Sequence, residues 1–212
     1  MIRILIADDH AIFREGLKKV LADADDLAVE GEAVDGHEVM AKVRERDWGV
    51  LVLDMSMPGK SGIELIKQIR SEKIKVPILV LSMYGEEQYA VRAIKAGASG
   101  YMTKESASSQ LVEAIRKVAS GGVFISSGVA ERLALEFSSA KDDHPHTLLS
   151  DREYQIFRMI VSDKSLTAIA EELSLSVKTV GSHKTRIMQK LNLNGNAELI
   201  RYAVRHGITG EA

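Results

Sequence analysis

The 212-residue chain contains no cysteine, which excludes disulfides and thiolate metal sites and fits a reducing compartment. Long apolar runs are missing too. The N-terminus, MIRILIADDH, ends its short apolar run in two acids, whereas the apolar core of a secretory signal needs roughly 7 to 15 residues. No window approaches the ~20 apolar residues of a membrane span, so a cytoplasmic protein that makes no use of a membrane is expected. Neither sign of charge dominates, with 28 Lys and Arg against 30 Asp and Glu. No biased tract points to disorder or a fibre, and no internal repeat is present. What remains is an ordinary globular composition, long enough for one medium domain and one small one.

From residue 1 to about 120, short apolar runs alternate with segments of helical period. The runs at 3–7, 27–33, 50–53, 76–81 and 100–102 read as strands. Helices are expected at 11–22, 36–46, 62–72, 86–96 and about 106–120. This alternation predicts an α/β domain, a doubly wound parallel sheet with helices on both faces. The run at 50–53 has no polar alternation, as a strand buried on both sides requires. After Gly121-Gly122 the composition changes. Residues 121–147 read as a linker with one short helix at 127–137 and an exposed polar stretch at 138–146. Its two histidines around a proline lack the further ligands at set spacing that a metal site needs. Residues 148–209 are helical in pattern throughout.

The stretch LVLDMSMPG at 51–59 ends an apolar strand on an acid, Asp54, just as Asp8 and Asp9 end the first strand. In an open parallel sheet, ligands bind at the carboxyl ends of the strands where the strand order reverses. With a flavodoxin-like order of 2-1-3-4-5, strands one and three are neighbours there, and three acids converge. Like charges in close quarters raise a carboxyl pKa. A hard divalent cation such as Mg²⁺ relieves that conflict and accepts two or three carboxylates plus water. Asp54 also has the chemistry of a nucleophile that carries a phosphoryl group, with Lys104 after strand five as the cation for the developing charge and Ser82 at the end of strand four as a hydroxyl. Each signal alone has a plainer meaning: Asp9 could cap the following helix, and Lys104 could be solvated. Five polar groups at the ends of four strands argue for a site.

IADDH at 6–10, LVLDMSMPG with Lys60-Ser61-Gly62, LSM at 81–83 and GYMTK at 100–104 together resemble the receiver domain of bacterial response regulators, over all of residues 1–120. The resemblance implies that Asp54 is the phosphoacceptor and that Asp8, Asp9, Asp54 and the Ser56 backbone carbonyl hold Mg²⁺. It also implies that Lys104 binds the phosphoryl oxygens, that Ser82 and Tyr101 form the switch pair, and that Pro58 and Gly59 shape the acceptor loop. Glu105 departs from the proline many receivers carry after the lysine.

In 148–209, helices are expected near 151–161, 165–173, 177–191 and 196–207, a small all-α domain of four helices on a helix-turn-helix plan. Ser176 suits the N-cap of the third helix. Val177, Val180, Ile187, Met188 and Leu191 recur on one face of it and are expected in the core. Lys178, Ser182, Thr185, Arg186 and Gln189 share the opposite face, flanked by Lys184 and Lys190. From 176 to 191 there are four bases and no acid. That is the charge pattern of a DNA-reading helix, and also that of a solvated face.

LLSDREYQIFRMI and LTAIAEELSLSVKTVGSHKTRIMQKLNL resemble the LuxR/FixJ-type output domain, and receiver plus this output resembles a response regulator of that type. The resemblance implies a phosphorylation-controlled transcription regulator, not an enzyme beyond its own phosphorylation and dephosphorylation. Its partners would be a sensor histidine kinase, double-stranded DNA at an inverted repeat, a second copy of the chain and RNA polymerase. The DNA contacts implied are Lys178, Thr179, Ser182, His183, Lys184, Thr185, Arg186, Gln189 and Lys190. The dimer contacts implied are Leu199, Tyr202 and Ala203, residues that could equally be core. Departures are Asp163 for a frequent glycine, Thr167-Ala168 for Lys-Glu, Asn196 for arginine and Gly181 for a frequent basic residue. Gly181 keeps open an output domain that binds a protein instead of DNA. A phosphatase using an aspartyl phosphate is a third reading, but its nucleophile would sit in an Asp-x-Asp at strand one, which Asp8-Asp9-His10 does not provide.

Overall fold

A computed structural model of the chain describes residues 1–58, 61–83, 87–138 and 145–208. It divides into two compact units, Met1–Phe137 and Ser138–Ala212.

The first unit carries β1 Ile2–Ala7, α1 Ala11–Ala22, β2 Leu27–Ala33, α2 Gly36–Glu45, β3 Val50–Asp54, α3 Gly62–Ser71, β4 Ile78–Ser82, α4 Glu87–Ala96, β5 Gly100–Thr103 and α5 Ala107–Ala119. A further helix, α6, spans Ser127–Ser138. The five strands form one parallel sheet in the order β2-β1-β3-β4-β5, the doubly wound arrangement read from the alternation. Alternate strand residues Ile4, Ile6, Val50, Val52, Leu79 and Leu81 pack in one cluster with Leu17 and Leu21 of α1 and Leu111, Ile115 and Val118 of α5. Their neighbours Leu5, Leu51, Leu53, Ile78 and Val80 are buried as well, as are Val39, Val43, Ile63, Ile66 and Ala90 of α2, α3 and α4. Helices therefore cover both faces.

β4 begins at Ile78, two residues later than the apolar run suggests. Pro77 has no N–H to give a neighbouring strand, and the Val76 carbonyl is taken by Arg70 Nη2 at 2.8 Å. β3 runs one residue further than expected and includes Asp54, which pairs with Leu81. Beyond it, α3 starts from a reciprocal cap between Ser61 and Glu64. Gly62 lies so close to Met55 that a Cβ would come within 2.9 Å of the Met55 Cα, which holds the acceptor loop against the helix start. Residues 121–137, expected in the linker, join the first unit instead: Phe124 bridges Gly100 beside β5, and its carbonyl accepts from the Tyr101 amide at 2.8 Å.

The second unit carries a 3₁₀ turn at Pro145–Leu148, then α7 Asp151–Val161, α8 Leu166–Glu172, α9 Val177–Leu191 and α10 Asn196–Arg205. Its core is made by Tyr154, Phe157, Ile169, Leu173, Val180, Ile187, Leu191, Leu199 and Ala203, all buried. His146 belongs to this core and not to an exposed linker: it is 3% exposed, and its Nδ1 lies 2.9 Å from the Tyr202 hydroxyl. Of the remaining linker, 139–144 lies outside the described residues.

Asp163, between α7 and α8, has a left-handed φ of 60°, which explains why glycine suits this position. Asp tolerates that conformation better than most residues but at a cost glycine avoids. Asp163→Gly is expected to stabilise the second unit by about 0.5–1 kcal/mol, read as a raised midpoint in urea unfolding. Among the described residues, no helix is long and apolar enough to cross a membrane.

Candidate functional site

β1 and β3 pair with Ala7 opposite Leu53, so the next residue on each strand, Asp8 and Asp54, emerges at the same level of the sheet edge. Both are 1% exposed. Lys104, which follows β5, extends its ammonium to 2.7 Å from Asp8 Oδ2 and 3.1 Å from Asp54 Oδ2. Its own amide donates to the Ser82 carbonyl at 2.8 Å, which fixes the end of β5 to the end of β4. Ser82 is fully buried beside this edge, and Tyr101 of β5 is packed inward. Ser56 lies two residues past Asp54 in the same loop. Pro58 is at its far end, while Gly59 and Lys60 fall outside the described residues.

Three neighbours escape the sequence reading. His10 donates its amide to Asp8 Oδ1 at 2.8 Å and sets its ring Nδ1 3.0 Å from Asp9 Oδ1. Arg14 Nη1 donates to the Asp8 carbonyl at 2.7 Å. The Phe13 ring lies 4.6 Å below the Lys104 ammonium. His10 and Phe13 stand in the segment just after the two acids, but one apolar and one titratable residue there carry no recognisable spacing. Asp9 is not the cap of α1: His10 occupies the cap position, and no side chain caps the helix.

Burial pushes the Asp54 carboxyl up to about 6; the Asp8 charge adds to the effect and Lys104 opposes it. Burial also disfavours the charged form of Lys104, but Asp54 and Asp8 outweigh it and raise its pKa. One ammonium against two buried carboxylates leaves the crevice short of positive charge. Asp54 and Asp8 Oδ2 are buried with no positive partner among the described residues but Lys104, which lies close to Oδ2 of each, and the Ser56 backbone bonds Asp54 as well. Ligand atoms of Asp8, Asp9, His10 and Asp54 lie within 4.8 Å of one another. Buried carboxylate oxygens with free lone pairs and a partly open side fit a hard divalent cation that keeps some of its waters.

In the second unit, Ser176 caps α9 by accepting from the Thr179 amide at 3.0 Å. Lys178, Thr179, Ser182, Thr185, Arg186 and Gln189 are exposed along the helix, and His183 and Lys184 are half-buried at its flanks. Lys190 differs from the rest: its ammonium donates to Glu153 Oε2 at 2.6 Å and to the Leu148 carbonyl at 3.1 Å. Glu153 also accepts from the Ser150 amide at 2.8 Å, so one carboxylate ties the start of α7 to the end of α9. Val177, expected in the core, is 47% exposed. It is the first residue after the cap, where the helix has not yet reached its neighbours. Leu199 and Ala203 are fully buried in their own unit and are not available as dimer contacts. Tyr202 is half-buried and occupied by His146. The apolar side chains that α10 does expose are Ile200 and Val204.

Burial alone would push the Glu153 carboxyl up, but Lys190 and Ser150 outweigh it and hold it below the usual carboxylate range. A carboxyl depressed in the folded state adds stability above its unfolded value of about 4.5 and loses it as pH falls through the folded value. Acid unfolding of the second unit is therefore expected to steepen below pH ~4.5. Glu153→Gln should remove that limb and cost about 1.5 kcal/mol or more at neutral pH, measured by urea unfolding across pH.

Comparison with known proteins assigns each unit to a family. Residues 4–116 match the family model of the response regulator receiver domain, and residues 147–203 that of bacterial regulatory proteins of the luxR family. Response regulator GacA of Pseudomonas viridiflava is 39% identical over 209 residues, covering 98% of each chain. Response regulator UvrY of Escherichia coli K12 is 38% identical over 209 residues, covering 98% of this chain and 96% of that one. Among solved structures, the RcsB response regulator of Salmonella typhimurium superposes with a TM-score of 0.69 at 28% identity, over 98% of each chain. RcsB of Salmonella enterica serovar Typhimurium bound to promoter rprA with the phosphomimetic BeF3− gives a TM-score of 0.63 at 28% identity, over 96% of this chain and 99% of that one. With an acidic crevice in a receiver fold and a basic helix in a helix-turn-helix unit, the chain belongs to the two-component response regulators that carry a LuxR-type DNA-binding domain, a family of transcription regulators.

Proposed function

We propose that Asp54 accepts a phosphoryl group from a sensor histidine kinase, and that this event controls DNA binding by α9. The observation that carries the reading is the crevice itself: a carboxylate only 1% exposed, beside a second buried carboxylate and 3.1 Å from the one buried ammonium they share. Asp8, Asp9, Asp54 and the Ser56 carbonyl would hold Mg²⁺, which when bound supplies positive charge for the transferring group. The protein's own part is placement. The β3 backbone fixes Asp54, and burial keeps its carboxylate poorly solvated and reactive. Lys104, now shared between Asp8 and Asp54, turns to the phosphoryl oxygens. Ser82, fixed at the end of β4, offers its hydroxyl to the same group, with Tyr101 packed beside it. The added charge of roughly −1.5 to −2 then competes for Lys104 and Ser82 and biases the surrounding loops. No other chemistry is assigned; the only turnover is loss of the phosphoryl group from Asp54.

Lys178, Thr179, Ser182, His183, Lys184, Thr185, Arg186 and Gln189 are the proposed DNA contacts. Lys190 supports them from behind, since its charge is committed to Glu153. Two copies reading an inverted repeat would meet through the exposed Ile200 and Val204 of α10, with Tyr202 at the margin. RcsB, a structural relative, is bound to promoter DNA in its solved complex, which supports this role for the domain. The test is the salt dependence of DNA binding. Lys178→Ala and Arg186→Ala should each lower the slope of log affinity against log salt by about 1. An unchanged slope in both variants would remove these two residues from the interface.

A further inference from the structure

Gly181 stands in the interior of α9, and nothing in the domain asks for a glycine there. Its φ is not in the left-handed region, and a Cβ at this position would meet no atom within 4 Å. Glycine inside a helix costs about 1 kcal/mol relative to alanine. The fold thus gives up stability that any small side chain would restore without a clash.

Its surroundings suggest what the bare backbone is for. One helical turn before it is Val177, apolar and 47% exposed. One turn after it is Thr185, exposed, whose hydroxyl donates to the Gly181 carbonyl at 3.1 Å. With that hydroxyl turned back to the helix, the group Thr185 offers outward is its methyl. Ser182 is tied in the same way, its hydroxyl donating to the Lys178 carbonyl at 3.0 Å. With its proton on the helix, the group it presents outward is the oxygen lone pairs, an acceptor. Lys178, Arg186 and Gln189 lie along the same exposed side.

We propose that Gly181 is a specificity-determining position. By lacking a side chain it lets α9 seat close to the base edges, with Val177, the Gly181 Cα and the Thr185 methyl receiving the C5-methyl group of a thymine. Thymine is the one base that presents an apolar group in the major groove, and threonine methyls are among its usual contacts. Ser182, as an acceptor, selects an amino group beside it, from adenine or cytosine. A basic residue at 181 would fill this space and replace the methyl contact by a phosphate or guanine contact. The inference rests on the reading of α9 as the DNA-contacting helix.

The experiment uses the full-length protein, treated with a small phosphodonor and Mg²⁺, on the duplex it enriches from random DNA. Each thymine of that duplex is replaced in turn by deoxyuridine, which removes only the methyl, and affinity is followed by fluorescence anisotropy. One thymine in each half-site should show a loss of about fourfold, the equivalent of one buried methyl. Gly181→Ala should unfold at a higher temperature, bind the same duplex more weakly and show no deoxyuridine penalty at that thymine. The inference is overturned if no thymine is sensitive, or if Gly181→Ala keeps the wild-type affinity and deoxyuridine profile. Enrichment of no duplex at all would overturn it along with the DNA reading, an outcome told apart from the first two because there the wild-type protein does bind a selected site.

Discussion

Asp54→Asn will take up a phosphoryl group from a small phosphodonor more slowly by about a thousandfold or more, and its DNA affinity will no longer respond to the donor. The size of the effect follows from the crevice. Asp54 is the acid at the end of the central strand, and burial with the Asp8 charge lifts its pKa to about 6, so the carboxylate is poorly stabilised and has something to gain from a new partner. Asn keeps the shape and removes the nucleophilic oxygen. Asp8 and Asp9, the remaining acids of the cluster, cannot substitute: Asp8 is already engaged by His10 and Lys104, and Asp9 belongs to the loop that follows β1. Intact mass after incubation measures the change, and retained single-site labelling in the variant would show that another residue is the acceptor.

The second large effect lies in the other unit. Phe157, fully buried in α7 among Tyr154 and Tyr202, should cost about 3–5 kcal/mol when replaced by alanine. For a unit of this size total stability is only about 3–9 kcal/mol, so Phe157→Ala removes about a third of it or more and brings the unit's unfolding toward physiological temperature. DNA binding is then lost while phosphoryl uptake at Asp54 continues, because the described residues of the receiver core all lie within the first unit. Two unfolding transitions in wild-type calorimetry, the one belonging to the second unit displaced or gone in the variant, would bear this out. Loss of phosphorylation together with DNA binding would contradict the independence of the two units.

The fold was legible where the chain writes its plan locally. Alternation of apolar runs with helical periods reveals five strands and five helices, and the ending of two such runs in Asp8 and Asp54 marks the sheet edge where the order reverses. Details that depend on distant partners were not legible. Pro77 and the reach of Arg70 to Val76 decide where β4 begins. His146 reads as linker because its local sequence is polar, yet Tyr202, far along the chain, draws it into the core. Leu199 and Ala203 show the periodicity that any amphipathic helix shows, and only packing tells that this face turns inward while Ile200 and Val204 turn outward. Val177 fits the apolar face of α9 by period, but helical period ignores the fact that a helix's first turn can project past its neighbours. His10, Phe13 and Arg14 gather around the acids through the turn into α1, with no spacing to announce it.

The central claim is that the charge state of Asp54 governs DNA recognition by α9. Selection from random duplex DNA, run in parallel on phosphodonor-treated wild type and Asp54→Asn, tests it most directly. The account predicts that the phosphorylated wild type enriches an inverted repeat and the variant does not. Equal enrichment of the same site by both proteins would contradict it, since DNA reading would then proceed without the phosphoryl group.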